Sequence, residues 1–470
     1  MLDRRLTLAS VTWNRHQAVL RFRLGEHQFS TVYWYPDVDL EDLRRRFGAD
    51  LVERLFVHAA LFEAAKIASL RPAAIDLGPY THHHTAAFAA LWREIFARVW
   101  AQWRYENDLP EVEPPPWIGQ PRLEHGAPVA RDRHDDALLL FSGGGKDSLV
   151  SMRLLERAQV PFASFAYASS VYGPARPQIA LVDRLLDRGA PIRRHRQVVI
   201  DDFFDAPILE LEGPTLGVRT ITACETPSSI FAALPLILSR GYGHAVVGHE
   251  ASANRGNLIW EATGEEVNHQ WGKSLEAERL LAAYVQEELI ADVDVFSLLM
   301  PIHDVVIFSL LRADQDALAA THSCNLQKPW CRRCPKCAYV WLGCRAHLDA
   351  ATVDAVFGED LLEVPENLGH FVGLVGLAEH TPFECVGHLE ESRLALALCR
   401  ARGLLGPRGR DLADRLPPLD RAGLEALLRR YLAVDLDRAR LPPAIAGEIE
   451  PQMRRAADEA DARIRALLLA

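Results

Sequence analysis

The stretch at residues 138–151, LLLFSGGGKDSLVS, joins a short apolar run to three glycines and then to a lysine, an aspartate and a serine. A short apolar run that ends in turn residues is typical of a buried β-strand. When a glycine-rich turn connects such a strand to a helix, its backbone N–H groups point to a place where an anion can bind. The stretch therefore predicts an α/β fold with a phosphate-binding loop at a strand end.

The order of residues in this loop excludes the Walker A pattern, which requires a glycine, four residues and then Gly-Lys-Ser/Thr. Asp147 stands where the serine or threonine belongs, and Leu140 stands where the first glycine belongs. The loop instead resembles that of the N-type ATP pyrophosphatases, which usually reads Ser-Gly-Gly-x-Asp-Ser. Gly143 occupies the usual serine position, and Ser142 lies one residue earlier. The alternative is a glycine turn that joins strand to helix and binds nothing.

This resemblance implies a PP-loop ATP-pyrophosphatase-like core, in which ATP is cleaved between its α- and β-phosphates. Backbone amides, the Ser148 hydroxyl and the Lys146 ammonium would then hold the leaving pyrophosphate. Asp147 would help to bind Mg²⁺, because a hard cation prefers oxygen ligands. The residues expected to bind ATP are Ser142, Gly143, Gly144, Gly145, Lys146, Asp147 and Ser148.

The overall composition is that of a globular enzyme. The 470 residues carry a formal net charge of −11, so the chain lacks the basic character typical of nucleic-acid-binding proteins. It contains no apolar run of transmembrane length, and its first residues lack the apolar core of a signal peptide. We therefore expect a cytoplasmic enzyme with a small-molecule substrate and without nucleic-acid or membrane partners.

Half of the eight cysteines lie in the segment HSCNLQKPWCRRCPKC, residues 322–337. In a reducing compartment, such a cluster is more typical of a metal site than of disulfides. Four thiolates suit a tetrahedral Zn²⁺ ion of structural role, with four buried or free cysteines as the alternative. Cys344 lies near enough in sequence to replace one ligand. The expected ligands are Cys324, Cys331, Cys334 and Cys337.

Periodicity outlines the rest of the chain. Alternating residues at 10–35 predict two or three antiparallel strands, and segments 40–70 and 85–105 have helical spacing, with the aromatic residues of the second expected in the core. Apolar runs separated by helical segments then predict a parallel sheet. The predicted organisation is an α+β N-terminal domain at 1–109, a proline-rich linker at 110–136, an α/β domain with the cysteine cluster at 137–346 and a mainly helical region at 347–470.

Three further stretches are GHEASANRGN (248–257), TGEEVNHQWGKSLEAE (263–278) and PFECVGHLEESRLA (382–395). Together with the glycine loop, the cysteine cluster and FGEDLL at 357–362, they resemble the UDP-N-acetylmuramoyl-L-alanyl-L-glutamate epimerase family, MurL. The motifs keep the family's order. His249 is a local departure, because the family more often has Asn-Glu where this chain has His-Glu.

The resemblance implies an ATP- and Mg²⁺-dependent inversion of the terminal L-glutamate of UDP-MurNAc-L-Ala-L-Glu, with release of AMP and diphosphate, in peptidoglycan precursor synthesis. A proton alpha to a carboxylate is very weakly acidic, because the carbanion forms beside an existing negative charge. Adenylation of the α-carboxylate removes that charge, and closure to an oxazolone would acidify the proton further. A base then removes the proton, the opposite face is reprotonated, and water hydrolyses the adenylate.

Candidates for proton transfer lie within these motifs. His269, in a polar run, is the first candidate for the base, with Lys273 on a substrate anion. Cys385 and His380 are the alternatives, since a thiol can move a proton if its pKa is lowered. Glu250 follows a buried-looking strand, where open α/β sheets bind ligands. The competing interpretations are a solvated turn for the polar run and a core position for Cys385.

The predicted substrate-binding residues are Asn254, Arg255, Asn268 and Gln270. Arg255 could bind a diphosphate or the glutamate side chain. Three consecutive histidines at 82–84 resemble a metal-binding tract but have no partner ligands at a recognisable spacing. A loop is therefore the favoured interpretation of this tract.

Two rival functions share some of these features. An amide- or nitrile-forming ligase resembling 7-cyano-7-deazaguanine synthase would have the loop and the cysteine cluster, but it does not explain the stretches at 263–278 and 382–395. A zinc-stabilised nucleotide- or RNA-binding module without turnover would not need Lys146, Asp147 and Ser148 together, and the acidic charge balance disfavours it.

Overall fold

The computed structural model describes residues 4–124, 126–206, 224–324 and 326–469, and a nine-stranded mixed sheet lies at the centre of this part of the chain. The strands of this sheet are β1 (Arg5–Trp13), β2 (Gln17–Leu24), β3 (His27–Trp34), β4 (Ala74–Asp76), β5 (Leu138–Phe141), β6 (Phe162–Ser169), β7 (Arg194–Asp201), β8 (His244–Val247) and β11 (Asp294–Ser297), while β9 (Leu258–Trp260) and β10 (Glu265–Val267) form a separate hairpin.

The strand order of the sheet is β11-β8-β5-β6-β7-β3-β2-β1-β4. Strands β11, β8, β5, β6 and β7 are parallel, and β7 then pairs antiparallel with β3, which begins an antiparallel meander through β2 to β1. The chain adds β6 and β7 on one side of β5, and β8 and β11 on the other. The order therefore reverses between β5 and β8, and such a reversal leaves a crevice at the carboxyl ends of the strands.

Helices cover both faces of the sheet and enclose two hydrophobic cores. Successive residues of β5 alternate between them, with Leu139 in the first core and Leu138 and Leu140 in the second, as expected for a strand that is buried on both faces. The helices are α1 (Leu40–Phe47), α2 (Ala49–Ile67), α3 (Ala86–Glu106), α4 (Lys146–Arg157), α5 (Ala175–Leu186), α6 (Glu225–Arg240), α7 (Leu275–Tyr284), α8 (Asp304–Arg312), α9 (Pro335–His347), α10 (Ala350–Phe357), α11 (Leu368–Leu374), α12 (Leu389–Ala401), α13 (Pro407–Asp414), α14 (Arg421–Tyr431) and α15 (Pro443–Leu468).

The predicted mixed α/β class with a large, mainly parallel sheet is confirmed. The three antiparallel N-terminal strands are present, and the aromatic residues of α3 are buried as expected, with Trp92, Trp100 and Trp103 among the most fully buried side chains. Because β3 pairs with β7, the N-terminal strands continue the central sheet. The domain boundaries drawn from the sequence remain a prediction.

The proline-rich segment 110–136 is attached to other parts of the described chain by isolated bridges. Its described residues form no helix, and isolated bridges attach it at Trp117 to Ile75 and at Asp135 to Tyr242. From residue 348 onward, the described residues contain helices and no strand. Within the described ranges, no helix combines the length and the apolar character needed to cross a bilayer.

Truncation of Trp92 should test the packing of α3. Its side chain is fully buried and its ring contacts that of Phe62, with 4.7 Å between the centroids. We expect Trp92→Ala to lower the free energy of unfolding by about 3–5 kcal/mol, measured by urea denaturation. Trp34→Ala on β3 is the control, because that side chain is 42% exposed and should matter far less. Equal losses in the two variants would contradict a buried α3.

Candidate active site

The candidate site begins where β5 and β8 end side by side. The glycine loop, residues 142–145, follows β5, and the segment 248–257 follows β8. Gly248 in the second segment lies against the start of α4, where an added Cβ atom would lie 3.1 Å from Ser151 Oγ and 3.6 Å from the Asp147 Cβ. Glycine at this position therefore lets two of the sequence motifs approach each other.

The glycine loop is shaped by His322, which lies just before the cysteine cluster. Gly144 has a φ of 87°, and a Cβ atom there would lie 1.9 Å from the His322 ring. Only glycine fits such a position without strain. The His322 backbone N–H donates to the Gly144 carbonyl over 2.8 Å, and the Gly144 N–H donates to Ser148 Oγ over 3.3 Å. Sequence reasoning did not select His322.

Two buried polar atoms at this loop, Ser142 Oγ and His322 Nδ1, have no hydrogen-bond partner among the described residues. Buried polar atoms are nearly always paired, so an orphaned one calls for a ligand or a water molecule. Beside them, Gly143 has open space where a side chain would be. A hydroxyl donor, an imidazole and an open glycine backbone form a donor set that fits a diphosphate.

Lys146 is buried beneath the loop. Its ammonium donates to Asp147 Oδ1 over 2.6 Å and to Asp304 Oδ1 over 2.5 Å. The Tyr339 hydroxyl donates to the other oxygen of Asp304 over 2.5 Å. Burial alone would lower the pKa of Lys146, but Asp147 and Asp304 raise it, so the ammonium stays charged. The Lys146 ammonium was predicted to hold pyrophosphate, but here it donates hydrogen bonds to two carboxylates. Its contact with pyrophosphate stays a prediction.

Glu250 completes a group of three carboxylates around Lys146. Burial raises the pKa of Glu250 to about 7, and the negative charges of Asp304 and Asp147 add to this effect. The group holds an excess of negative charge that a divalent cation would offset, and carboxylate oxygens are the ligands that Mg²⁺ prefers. Asp147, the predicted Mg²⁺ ligand, therefore has a setting that fits such an ion.

A cavity of about 490 Å³ lies at the ends of β6 and β7, against α3. This is within the range of small-molecule sites. Four residues selected from the sequence line it: His269, Gln270, Lys273 and Cys385. The lining also carries five carboxylates, those of Glu106, Asp201, Asp205, Glu225 and Glu384. Lys273 supplies a positive charge to this otherwise acidic lining.

Lys273 links this cavity to the glycine loop and to Cys385. Burial would lower the pKa of Lys273, but the negative charges of Cys385, Glu250 and Asp147 raise it. Burial would raise the pKa of the Cys385 thiol, but the Lys273 ammonium and a hydrogen bond with His269 outweigh it, and that pKa falls well below its ordinary value. The electrostatics of the pair therefore favour a thiolate beside an ammonium, and a thiolate can accept a proton.

A chain of hydrogen bonds from α3 orients His269. Gln102 Oε1 lies 2.6 Å from His269 Nδ1, and Gln102 Nε2 donates to Glu106 Oε1 over 3.0 Å. Because the amide donates to Glu106, its oxygen accepts from His269 Nδ1–H, and Nε2 is the nitrogen that can exchange a proton. Gln102 and Glu106 were missed in the sequence because the aromatic spacing of α3 indicated only a core helix.

Of the four residues predicted to bind substrate, two hold loops together and two line cavities. The side-chain amides of Asn254 and Asn268 bond to backbone atoms of neighbouring loops and hold those loops together. Arg255 and Gln270 line a second cavity of about 190 Å³, and Gln270 lines the larger cavity as well. Substrate binding by these residues stays a prediction.

Two other histidines singled out in the sequence, His249 and His380, make contacts that explain their positions structurally. Burial, with the nearby Lys273 ammonium, lowers the pKa of His249 to about 3, so it stays neutral beside the Ser297 hydroxyl. His380 packs against Phe383, and its Nδ1 lies 2.8 Å from the Thr381 carbonyl. His380 is not among the residues that line the larger cavity.

The predicted cysteine cluster is present, and its four Sγ atoms lie within 4.8 Å of one another. Cys324 and Cys334 are 3.8 Å apart at sulfur, as are Cys331 and Cys337. A tetrahedral ion with Zn–S bonds of about 2.3 Å separates its sulfurs by about 3.8 Å. The cluster could therefore bind zinc. Cys344 is not part of it and is buried within α9.

The cysteine-cluster segment contacts both halves of the site. Lys336, between two of the cysteines, donates to the carbonyl of Cys385. On the other side, Ser323 follows His322 and packs on the glycine loop, where a Cβ atom on Gly145 would lie 2.7 Å from Ser323 Oγ. A metal ion that orders this segment would thus position the glycine loop and the thiol together.

Family comparison agrees with the arrangement of these motifs. A model described as the MurL N-terminal domain matches residues 8–191 and 212–298, and one described as the MurL C-terminal domain matches residues 318–404. The chain belongs to the MurL family. The resemblance read from the sequence motifs is confirmed, and with it the prediction of an isomerase.

Three curated relatives of this MurL chain are named UDP-N-acetyl-alpha-D-muramoyl-L-alanyl-L-glutamate epimerase. That of a Micromonospora species is 32% identical over 346 residues, which cover 70% of this chain and 72% of the relative. That of Salinispora tropica is 32% identical over 320 residues, 66% of this chain and 65% of the relative. That of Xanthomonas oryzae pv. oryzae is 31% identical over 319 residues, which cover 65% of this chain and 66% of the relative.

Addition of Co²⁺ to metal-depleted protein should report on the cysteine cluster. We expect a strong thiolate-to-cobalt absorption from the wild-type protein, and we expect Cys334→Ser to lose it and to melt at a lower temperature, because structural metal sites contribute folding free energy. Cys344→Ala is the matched control, since this cysteine is buried nearby but lies outside the cluster. An unchanged absorption in Cys334→Ser would remove the metal assignment.

Proposed function

We propose that this chain inverts the terminal L-glutamate of UDP-MurNAc-L-Ala-L-Glu at the expense of ATP and so supplies D-glutamate to peptidoglycan precursors. The observation that carries this proposal is that Cys385, His269 and Lys273 line one cavity. The Lys273 ammonium and a hydrogen bond with His269 lower the pKa of the Cys385 thiol, and a thiol of lowered pKa can take a proton from carbon. The substrate comes from the names of the three relatives.

We further propose that the parallel half of the sheet is a PP-loop core that binds ATP at the glycine loop. The orphaned Ser142 Oγ and His322 Nδ1 support a bound diphosphate. The carboxylate of Asp147 would help to hold Mg²⁺, which offsets the charge of the phosphates. Asp304 is engaged instead with Lys146 and Tyr339. An oxygen of the substrate α-carboxylate attacks the α-phosphate of ATP, the bond to the β-phosphate breaks, and diphosphate leaves.

Adenylation of the α-carboxylate makes the Cα proton of the substrate glutamate more acidic. The acyl adenylate no longer carries the carboxylate charge, so a carbanion at the adjacent carbon is far less costly to form. The thiolate of Cys385 takes the Cα proton, with Lys273 and His269 around it to stabilise the change of charge. A proton is then delivered to the opposite face, and water hydrolyses the mixed anhydride to the carboxylate and AMP. Hydrolysis of ATP pulls an inversion that would otherwise stay close to parity.

His269 is placed to act together with Cys385 rather than instead of it. Gln102 fixes the protonated nitrogen of the ring, which leaves the other nitrogen to receive or return the proton of the thiol. The first and second sequence candidates for the base are thus two members of one pair. Because ATP and a nucleotide-linked precursor are consumed, the proposed reaction belongs in the cytoplasm, where the sequence analysis also placed the chain.

Removal of the Asp147 carboxylate should abolish activation without unfolding the protein. We expect Asp147→Asn to slow diphosphate release by on the order of a hundred-fold, because it removes one charged oxygen ligand from the proposed Mg²⁺ site. The fold should survive, because Lys146 keeps its ion pair with Asp304. Asp136→Asn, an exposed carboxylate just before β5, is the control. Near-normal diphosphate release by Asp147→Asn would sink the assignment of the loop.

Removal of the base should separate activation from inversion. We expect Cys385→Ala and His269→Ala to release AMP and diphosphate while the glutamate keeps its L configuration, because water can still hydrolyse the adenylate. In D₂O, the wild-type product should carry deuterium at Cα and the variants little, since a general base typically contributes on the order of a hundred- to ten-thousand-fold in rate.

Cys399→Ala is the matched control for this pair, because Cys399 is a buried thiol on α12 whose pKa is raised to about 12 by burial. It should invert and exchange normally. Normal exchange by both Cys385→Ala and His269→Ala would show that neither is the base. Loss of AMP release by either would assign that residue to substrate or nucleotide binding.

A further inference from the structure

We propose a second metal site on the N-terminal part of the chain, formed by Asp50, Glu53, His82 and His83 and selective for a divalent transition ion of the zinc type. Ligand atoms of Asp50, His82 and His83 all lie within 4.8 Å of one another. Oxygen Oε1 of Glu53 lies 3.0 Å from Nε2 of His82 and 3.0 Å from Nε2 of His83. Two imidazoles thus meet one carboxylate oxygen of Glu53, and a carboxylate oxygen of Asp50 lies close to both rings.

The fold explains why these residues meet. Asp50 and Glu53 are three residues apart at the start of α2, so their side chains project from the same face of the helix. His82 and His83 end the short helical turn Gly78–His83, which packs beside that face. The carboxylate partners lie some thirty positions before the histidines, which is why no local spacing in the sequence pointed to them.

The donor set and its distances suit a metal ion. Imidazole nitrogen together with carboxylate oxygen is a ligand set found at zinc and related ions. For bonds of about 2.0–2.1 Å, neighbouring ligand atoms lie about 2.9–3.4 Å apart, depending on whether the geometry is octahedral or tetrahedral. The two Nε2···Oε1 distances fall in this range. In the absence of a metal, one carboxylate oxygen would have to satisfy both rings alone.

The surroundings give the ion access and leave room for further ligands. The His82 side chain is 45% exposed, whereas that of His83 is buried, so the site is open to solvent from one side and fixed from the other. A cavity of about 190 Å³ adjoins it, lined by Asp50, His82 and His83 themselves. An ion here would tie the start of α2 to the turn that leads into α3, the helix whose far end carries Gln102.

Metal stoichiometry of the intact protein tests this site. With Zn²⁺ titrated into metal-depleted protein, we expect the wild type to bind about two ions per chain, one at the cysteine cluster and one here. The double variant His82→Ala/His83→Ala should bind about one. His134→Ala is the matched control, since His134 is an exposed histidine outside the group, and it should bind about two. One ion in the wild type, or two in the double variant, overturns the proposal.

A second variant keeps the test decisive if the double histidine variant misfolds. Asp50→Asn/Glu53→Gln preserves the shape of both side chains while it removes their charge and replaces one acceptor oxygen of each by an NH₂ donor. With Co²⁺ as the probe, we expect this variant to keep the thiolate-to-cobalt absorption of the cysteine cluster and to lose the weaker absorption of a nitrogen- and oxygen-ligated ion. Unchanged occupancy of that second site would mean that these residues do not bind metal.

Discussion

The side-by-side parallel pairing of β5 and β8, at the point where the strand order reverses, is the constraint on which the candidate site depends. Because the strand order reverses between them, a crevice opens at the carboxyl ends of this pair, and the two segments that follow can face it. Buried Lys146 lies there among three carboxylates, Asp147, Glu250 and Asp304. Burial of these charges costs free energy unless they compensate one another. The net charge of the group therefore limits which further residues and ions can bind beside it.

Three parts of the chain converge on that point from outside the parallel sheet. The cysteine-cluster segment reaches the glycine loop through His322 and the thiol loop through Lys336. Helix α3 reaches His269 through Gln102. Helix α12 reaches the segment that follows β8, because the Ser252 hydroxyl donates to Glu391 over 2.7 Å. The candidate site is therefore assembled from segments that lie far apart in the chain.

Much of the candidate site could be predicted because its features are local in the chain. The glycine loop, the four cysteines and the run that contains His269 and Lys273 are each recognisable within a few residues. Residues that join the site only through contacts between distant segments have no recognisable local sequence pattern. Gln102 lies in a helix whose aromatic spacing already had a structural explanation, and Asp304 and His322 gain their roles from neighbours that only the fold brings close.

The individual strands of the fold could be predicted from the sequence, but the pairing between distant strands could not. Apolar runs indicated the parallel strands, and alternation indicated the N-terminal meander, yet the pairing of β3 with β7 joins the two into one sheet. Strand pairing between distant segments depends on the edges that remain available after local structure has formed, and periodicity carries no information about it.

The central claim is that the site activates a carboxylate by transfer of AMP before a proton moves. The most direct measurement uses a substrate dipeptide nucleotide labelled with ¹⁸O in the α-carboxylate of its glutamate. If a carboxylate oxygen attacks the α-phosphate and water later attacks the acyl carbon, one labelled oxygen stays on phosphorus, and mass spectrometry should find ¹⁸O in AMP at each turnover. Epimerised product accompanied by unlabelled AMP, or by ADP in place of AMP, would contradict the account.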